Sequence, residues 1–214
     1  MPFTTFSDGN QLTTTEIEKY LMNQAIITCT STTRPNAIQD GMTIWETDTQ
    51  SERVLDLSTG QWNFLRGLNI FARKASDQSL TSNTTMTDDN AISVTVPIQS
   101  VYIIDLFLVY QSPTAADIKF TLVGPSGSTI NWAPYSPDTS QTDFDHTTID
   151  IGNYVAGDAV SAAGFGSNVA VRIRGILITT TTSGTFKLQW AQQTSNGTAT
   201  IMRTDTWLYL RKVG

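Results

Sequence analysis

Few residues in this sequence could do chemistry. The single histidine, His146, lies in QTDFDHTTID beside Asp143, Asp145 and Asp150. Clustered carboxylates can hold Ca²⁺, which takes about six to eight oxygen ligands, but this spacing matches no EF-hand and lacks a ligand-positioning glycine. A solvated loop is the better reading, and the same holds for Asp88 and Asp89. Nucleophilic catalysis is no better supported. There is no G-x-S-x-G, and a triad would have to be built on the one histidine without recognisable partner spacing. Cys29, in the apolar stretch AIITCT, reads as a small core residue rather than a nucleophile. A glycosidase needs two carboxylates, which any sequence offers, and nothing here selects a pair. The expectation is a protein that is not an enzyme and uses no metal or cofactor.

Binding chemistry has more to work with. Trp132 and Tyr135 in NWAPYS, with Tyr154 in the following variable loop, could present aromatic faces to sugar rings. For Trp62, Trp190 and Trp207, which fall on strand faces, core packing is the better reading.

The elements that must position these residues are mostly strands. Only 15% of the 214 residues are charged, and Thr and Ser are plentiful, which favours an all-β fold over a helical one. The net charge of −6 argues against nucleic acid as a partner, because phosphate neutralisation needs a basic face. One cysteine allows no intrachain disulfide. The opening residues lack a basic and then apolar signal pattern, and no apolar run approaches the roughly 18–20 residues of a membrane span. The chain is therefore expected to be made in a cytoplasm and not exported by a signal peptide, with no membrane partner.

Residues 12–24, LTTTEIEKYLMNQ, read as a helix with a capping box at Thr13 and Glu16 and one apolar stripe of Ile17, Tyr20 and Leu21. Phe3 and Phe6 precede it on a short polar arm, as anchors into a neighbouring surface or as caps on the local core. From Met42 to Phe64 the apolar spacing predicts a small antiparallel meander with its hairpin turn at Ser58–Gln61. Residues 1–65 form a first domain on this reading, residues 66–90 a connector, and residues 91–214 a β-sandwich of jelly-roll type. VYIIDLFLVY (101–110), apolar on both faces, should be central.

The segment 169–213 is read in twos. Phe186, Leu188 and Trp190 point one way, and the Ser195-Asn196-Gly197 tip should fold its flanking runs back on each other. In VAVRIRGILI, Val169, Val171 and Ile173 alternate with Arg172 and Arg174 until Gly175, after which Ile176, Leu177 and Ile178 are apolar on both sides. That change predicts a bulge at Gly175 or burial of both faces beyond it, with Ile176, Leu177 and Ile178 forming a subunit interface.

Several of these stretches resemble a known kind of protein. YLMNQ, CTSTTRP, GMTIWETDT and the Gly60/Trp62 strand are similar to the opening of small virion proteins of tailed bacteriophages, particularly those of actinobacteria. ARKASDQSLTSNTTMTDDN, the strand with LVY, GPSG, LQWAQQTSN, TWLYL and RKV resemble a β-sandwich module of phage fibre, minor tail and head-surface proteins. The resemblance covers most of the chain outside residues 135–168. It implies a non-enzymatic homotrimer on the virion surface, a capsid decoration or short head fibre. Phe3, Phe6, Ile17, Tyr20 and Leu21 would then dock on the major capsid protein or another virion protein, with the sandwich projecting. The alternative is a minor tail or fibre-tip adhesin that binds host-surface glycans.

Overall fold

Alternating apolar and polar residues dominate this chain, and the computed structural model turns nearly all such runs into strands. It describes residues 14, 26–36, 40–141, 149–150 and 152–214, which fall into two compact units, residues 1–67 and 68–214. The mainly β expectation holds. The expected helix lies outside the described residues apart from Thr14, which is helical.

The first unit is a four-stranded sheet in the order β1 (Ile27–Cys29), β2 (Thr43–Glu46), β3 (Ser51–Asp56), β4 (Gln61–Gly67). Strands β2 to β4 form the antiparallel meander, with the turn where the sequence places it, while β1 joins β2 in parallel. Met42, Ile44 and Leu55 are its buried apolar residues, and a carboxylate sits among them. Glu46 is fully buried. It accepts from Arg34 Nε at 2.5 Å, Arg53 Nε at 3.0 Å and Thr49 Oγ1 at 2.8 Å. Burial pushes this carboxyl up, but the hydrogen bonds from Arg34 and Thr49 and the Arg53 charge outweigh it and hold the group below the usual range. So small a core gains definition from a fully satisfied polar cluster.

The second unit carries β5 (Ile70–Arg73), β6 (Gln78–Leu80), β7 (Thr87–Val96), β8 (Val101–Gln111), β9 (Ile118–Val123), β10 (Thr129–Pro137), β11 (Ile149–Asp150), β12 (Tyr154–Val155), β13 (Val160–Ala162), β14 (Asn168–Ile178), β15 (Gly184–Gln192), β16 (Thr200–Met202) and β17 (Trp207–Lys212). They make two sheets. The smaller runs β13-β9-β15-β7, and the larger is built around β8, with β14 and then β10 on one side and β16 and β17 on the other. One core lies between them: Tyr102, Ile104, Leu106, Leu108 and Tyr110 from β8 meet Phe120, Leu122, Phe186, Leu188 and Trp190 from the smaller sheet. Strand β8 is central, as expected. Its two faces are unequal, the even-numbered residues buried and the odd-numbered ones half exposed.

The structure corrects three expectations. Residues 66–90 are no connector: they supply the end of β4, β5, β6 and the start of β7. Lys74 and Asp89 hold this polar stretch in place as a buried ion pair. The Ser195–Gly197 tip makes no hairpin, because β15 pairs with β7 and β9 while β16 pairs with β6 and β8, so the chain changes sheets there. Nor does Gly175 mark a bulge. Register runs unbroken from Asn168 to Ile178 against β8, and a Cβ at Gly175 would lie 2.4 Å from Asn131 O and 2.8 Å from Trp132 Cβ. The glycine leaves room for the Trp132 side chain on the neighbouring strand. Gly175→Ala should therefore cost about 1–3 kcal/mol of stability by overpacking, measurable by urea denaturation.

The loop after β5 is pinned electrostatically. Asp77 accepts from Thr204 N at 2.7 Å, Thr204 Oγ1 at 3.0 Å and Arg203 Nη1 at 2.8 Å. The Thr204 amide foremost, then Arg203 and the Thr204 hydroxyl, hold its carboxyl down at about 2, against an ordinary 3.8. A depressed folded pKa gives stability that is present above the unfolded value and lost as pH falls through the folded one. Asp77→Asn should flatten the pH dependence of stability between those two values, 3.8 and about 2, when unfolding is followed across that range.

Candidate functional site

The outward face of the larger sheet gathers side chains that the sequence scatters over more than a hundred positions. Register aligns them in rows. Trp207 on β17 stands opposite Phe107 on β8, which stands opposite Arg172 on β14; in the next row Phe71 on β5, Tyr209, Asp105 and Arg174 follow one another across four strands. Phe71, Trp207 and Phe107 stack in series, with ring centroids 6.4 and 6.0 Å apart. Phe71 is 62% exposed, high for an aromatic on a sheet.

Two adjacent grooves open on this face and share Asp105 and Tyr209. One, of about 310 Å³, is lined by Phe71 and Trp207 as well; the other, of about 410 Å³, by Ile103, Arg174 and Arg211. Asp105 is clamped by Arg172, whose Nε and Nη2 donate at 3.2 and 2.9 Å, and this carboxylate raises the arginine's pKa. Arg174 reaches the same carboxylate only at 3.6 Å. Arg211 is exposed and forms no ion pair with any described residue. The second groove therefore holds two guanidinium groups with donors to spare in a chain of net charge −6.

The residues singled out from the sequence fare differently. Trp132, expected as a glycan contact, is 1% exposed: its ring lies 6.1 Å from Phe120 and 5.3 Å from Tyr154, and its Nε1 donates to Val155 O at 3.2 Å. It faces the core because it alternates in phase with Ile130. Tyr154 packs against it, half-buried, so of that trio only Tyr135 stands out in solvent, at 60% exposed. Leu177, expected at a subunit interface, is fully buried in its own core, whereas Ile176 and Ile178 point outward. Burial foremost, then the Glu46 charge, raises the half-buried Cys29 thiol's pKa, which leaves a poor nucleophile. Asp88 accepts from Lys187 at 2.7 Å and Gln189 at 2.6 Å, and Asp89 from Lys74, so protein cations occupy both. Phe3, Phe6, Ile17, Tyr20, Leu21, Asp143, Asp145, His146 and the Asp150 side chain lie outside the described residues. Among the described residues no group of three or more His, Cys, Asp or Glu is placed to hold a metal ion, and no helix is long and apolar enough to cross a membrane.

Sequence reasoning missed the aromatic and arginine rows. Their signal was TWLYLRK, where Trp207, Tyr209 and Arg211 alternate with Leu208 and Leu210 so that both faces look fit for burial. No protein-family model matches the chain, and no curated protein matches it in sequence. Matches among solved structures include a structure of infectious bursal disease virus, Gt strain, at 9% identity and TM-score 0.20, over 85% of this chain and 47% of that one. Another is the crystal structure of the infectious bursal disease virus VP2 subviral particle, at 7% identity and TM-score 0.20, over 84% of this chain and 47% of that one. The chain spans about half the length of these two, and at such scores the likeness decides nothing about function.

Proposed function

We propose that this chain is a non-enzymatic structural protein of a tailed-phage virion, displayed on the particle surface as a homotrimer in the manner of a head decoration or short head fibre. The observation that carries the self-association is the apolar end of the larger sheet's outer face. Val101, Ile176, Ile178 and Val213 are neighbours across β14, β8 and the residue that follows β17, with Ile178 38% and Val213 39% exposed. A second copy of the chain is the occupant that suits such a strip, since oligomers cover matching apolar surfaces. The motif resemblance of both halves supports the station on a virion, with the N-terminal residues as the attachment.

Native mass spectrometry of the purified protein should give three times the chain mass. The pair Ile176→Asp and Ile178→Asp should reduce it to the monomer without loss of fold, and a monomeric parent protein overturns the trimer. Quantitative mass spectrometry of particles should find tens to hundreds of copies. A few copies only would favour the second reading, a tail or fibre-tip adhesin, to which the exposed aromatic rows lend support.

A further inference from the structure

We infer that the paired grooves on the outer face of the larger sheet bind an acidic saccharide, whose ring lies on Trp207 and Phe71 and whose carboxylate or phosphate group meets Arg174 and Arg211. The inference names a ligand class for the surface-binding reading above and rests on it, but it concerns the isolated chain rather than its station on a particle.

Four features carry it. The grooves are contiguous, sharing Asp105 and Tyr209, so one ligand can span both. Their volumes, about 310 and 410 Å³, fall where small-ligand sites begin. Their chemistries differ side by side: one wall offers aromatic rings, which stack against the C–H faces of sugars, and the other offers guanidinium forks, which match carboxylate and phosphate oxygens. Finally, the cations keep donors to spare where the anion would sit. Asp105 takes two hydrogen bonds from Arg172, leaving Arg174 at 3.6 Å and Arg211 without an ion pair to any described residue. Asp105 also supplies a fixed acceptor at the boundary between the grooves, suited to a sugar hydroxyl. Charge complementarity excludes an apolar peptide as the favoured occupant, because burying Arg211, which has no ion pair to a described residue, and Arg174, held to Asp105 only at 3.6 Å, against it would carry a large desolvation cost.

The test is isothermal titration calorimetry of the full chain at low and high salt with tetragalacturonate, with tetragalactose as the neutral counterpart and with inorganic phosphate. Tetragalacturonate should bind, more weakly as salt rises. Tetragalactose should bind about tenfold or more weakly, and the pair Arg174→Gln and Arg211→Gln should bring tetragalacturonate down to that level. Trp207→Ala should weaken both saccharides while leaving the weak phosphate signal unchanged. Because Trp207 is half-buried, the arginine pair, both exposed, stands as the variant that leaves the core untouched. Equal affinity for the neutral sugar, phosphate binding as tight as the saccharide, or no saccharide binding would each overturn the inference. So would self-association that the arginine pair abolishes, which would assign the grooves to a second copy. Loss of the trimer or a low copy number, by contrast, would strike the virion reading and leave this site standing.

Discussion

Replacing Lys74 by Met should lower the unfolding free energy of the sandwich unit by about 3–5 kcal/mol, the range for breaking a buried ion pair by removing one partner. Lys74 follows β5 in the larger sheet and is fully buried. Its Nζ lies 3.0 and 3.2 Å from the two oxygens of Asp89, on β7 of the smaller sheet, and also donates to Asn90 Oδ1. Asp89 Oδ1 accepts in addition from the amides of Ala91 and Ile92, both at 2.9 Å. Met fills the volume but leaves a charged carboxylate with no cation in the interior, and that is the source of the cost. The double variant Lys74→Met with Asp89→Asn should recover most of the loss, since Asn keeps the amide-accepting oxygen and removes the charge. Urea denaturation followed by near-ultraviolet circular dichroism reads both. A single variant as stable as the parent would show that the pair does not close this edge of the sandwich.

Trp132→Ala should cost about 3–5 kcal/mol as well, by a different mechanism. The buried ring packs against Phe120 and Tyr154, and its removal leaves a cavity that fixed strands cannot collapse to fill. It also strips the Val155 carbonyl of its indole donor. The same denaturation measurement checks it. A variant that keeps its stability and loses only saccharide affinity would return Trp132 to the surface role that its neighbours in the sequence suggest.

Prediction from sequence worked where a single physical rule decides the outcome. The side chains of a strand alternate, so Phe186, Leu188 and Trp190 could be assigned to one face, and all three are fully buried. A tight turn between short apolar runs is a local matter, so the Ser58–Gln61 hairpin was legible. Trp132 turns inward by the same rule, in phase with the buried Ile130 two positions away, and this alternation outranks the affinity of an aromatic for sugars.

The candidate site was not legible, for reasons that lie beyond local sequence. In TWLYLRK both faces carry large apolar residues, and only packing against the core chooses Leu208 and Leu210 over Trp207 and Tyr209. The stacked aromatics and the Asp105–Arg172 clamp join residues 71, 105, 107, 172 and 207, brought together by strand register. The Ser195–Gly197 tip shows the limit most plainly. A turn sequence says that the chain reverses, not whether the next strand pairs with the last one or crosses to the other sheet.

The sequence by itself thus determined that the chain would fold mainly as strands and, for most strands, which side chains would face inward. Those follow from propensity and a period of two, which each segment carries alone. Tertiary structure decided which sheet each strand joins, that Lys74 and Asp89 would meet in the interior, and that one outward face would collect aromatics beside spare arginines. These outcomes depend on pairing register and on competition between two apolar faces for one core, energies that arise only when distant segments come into contact.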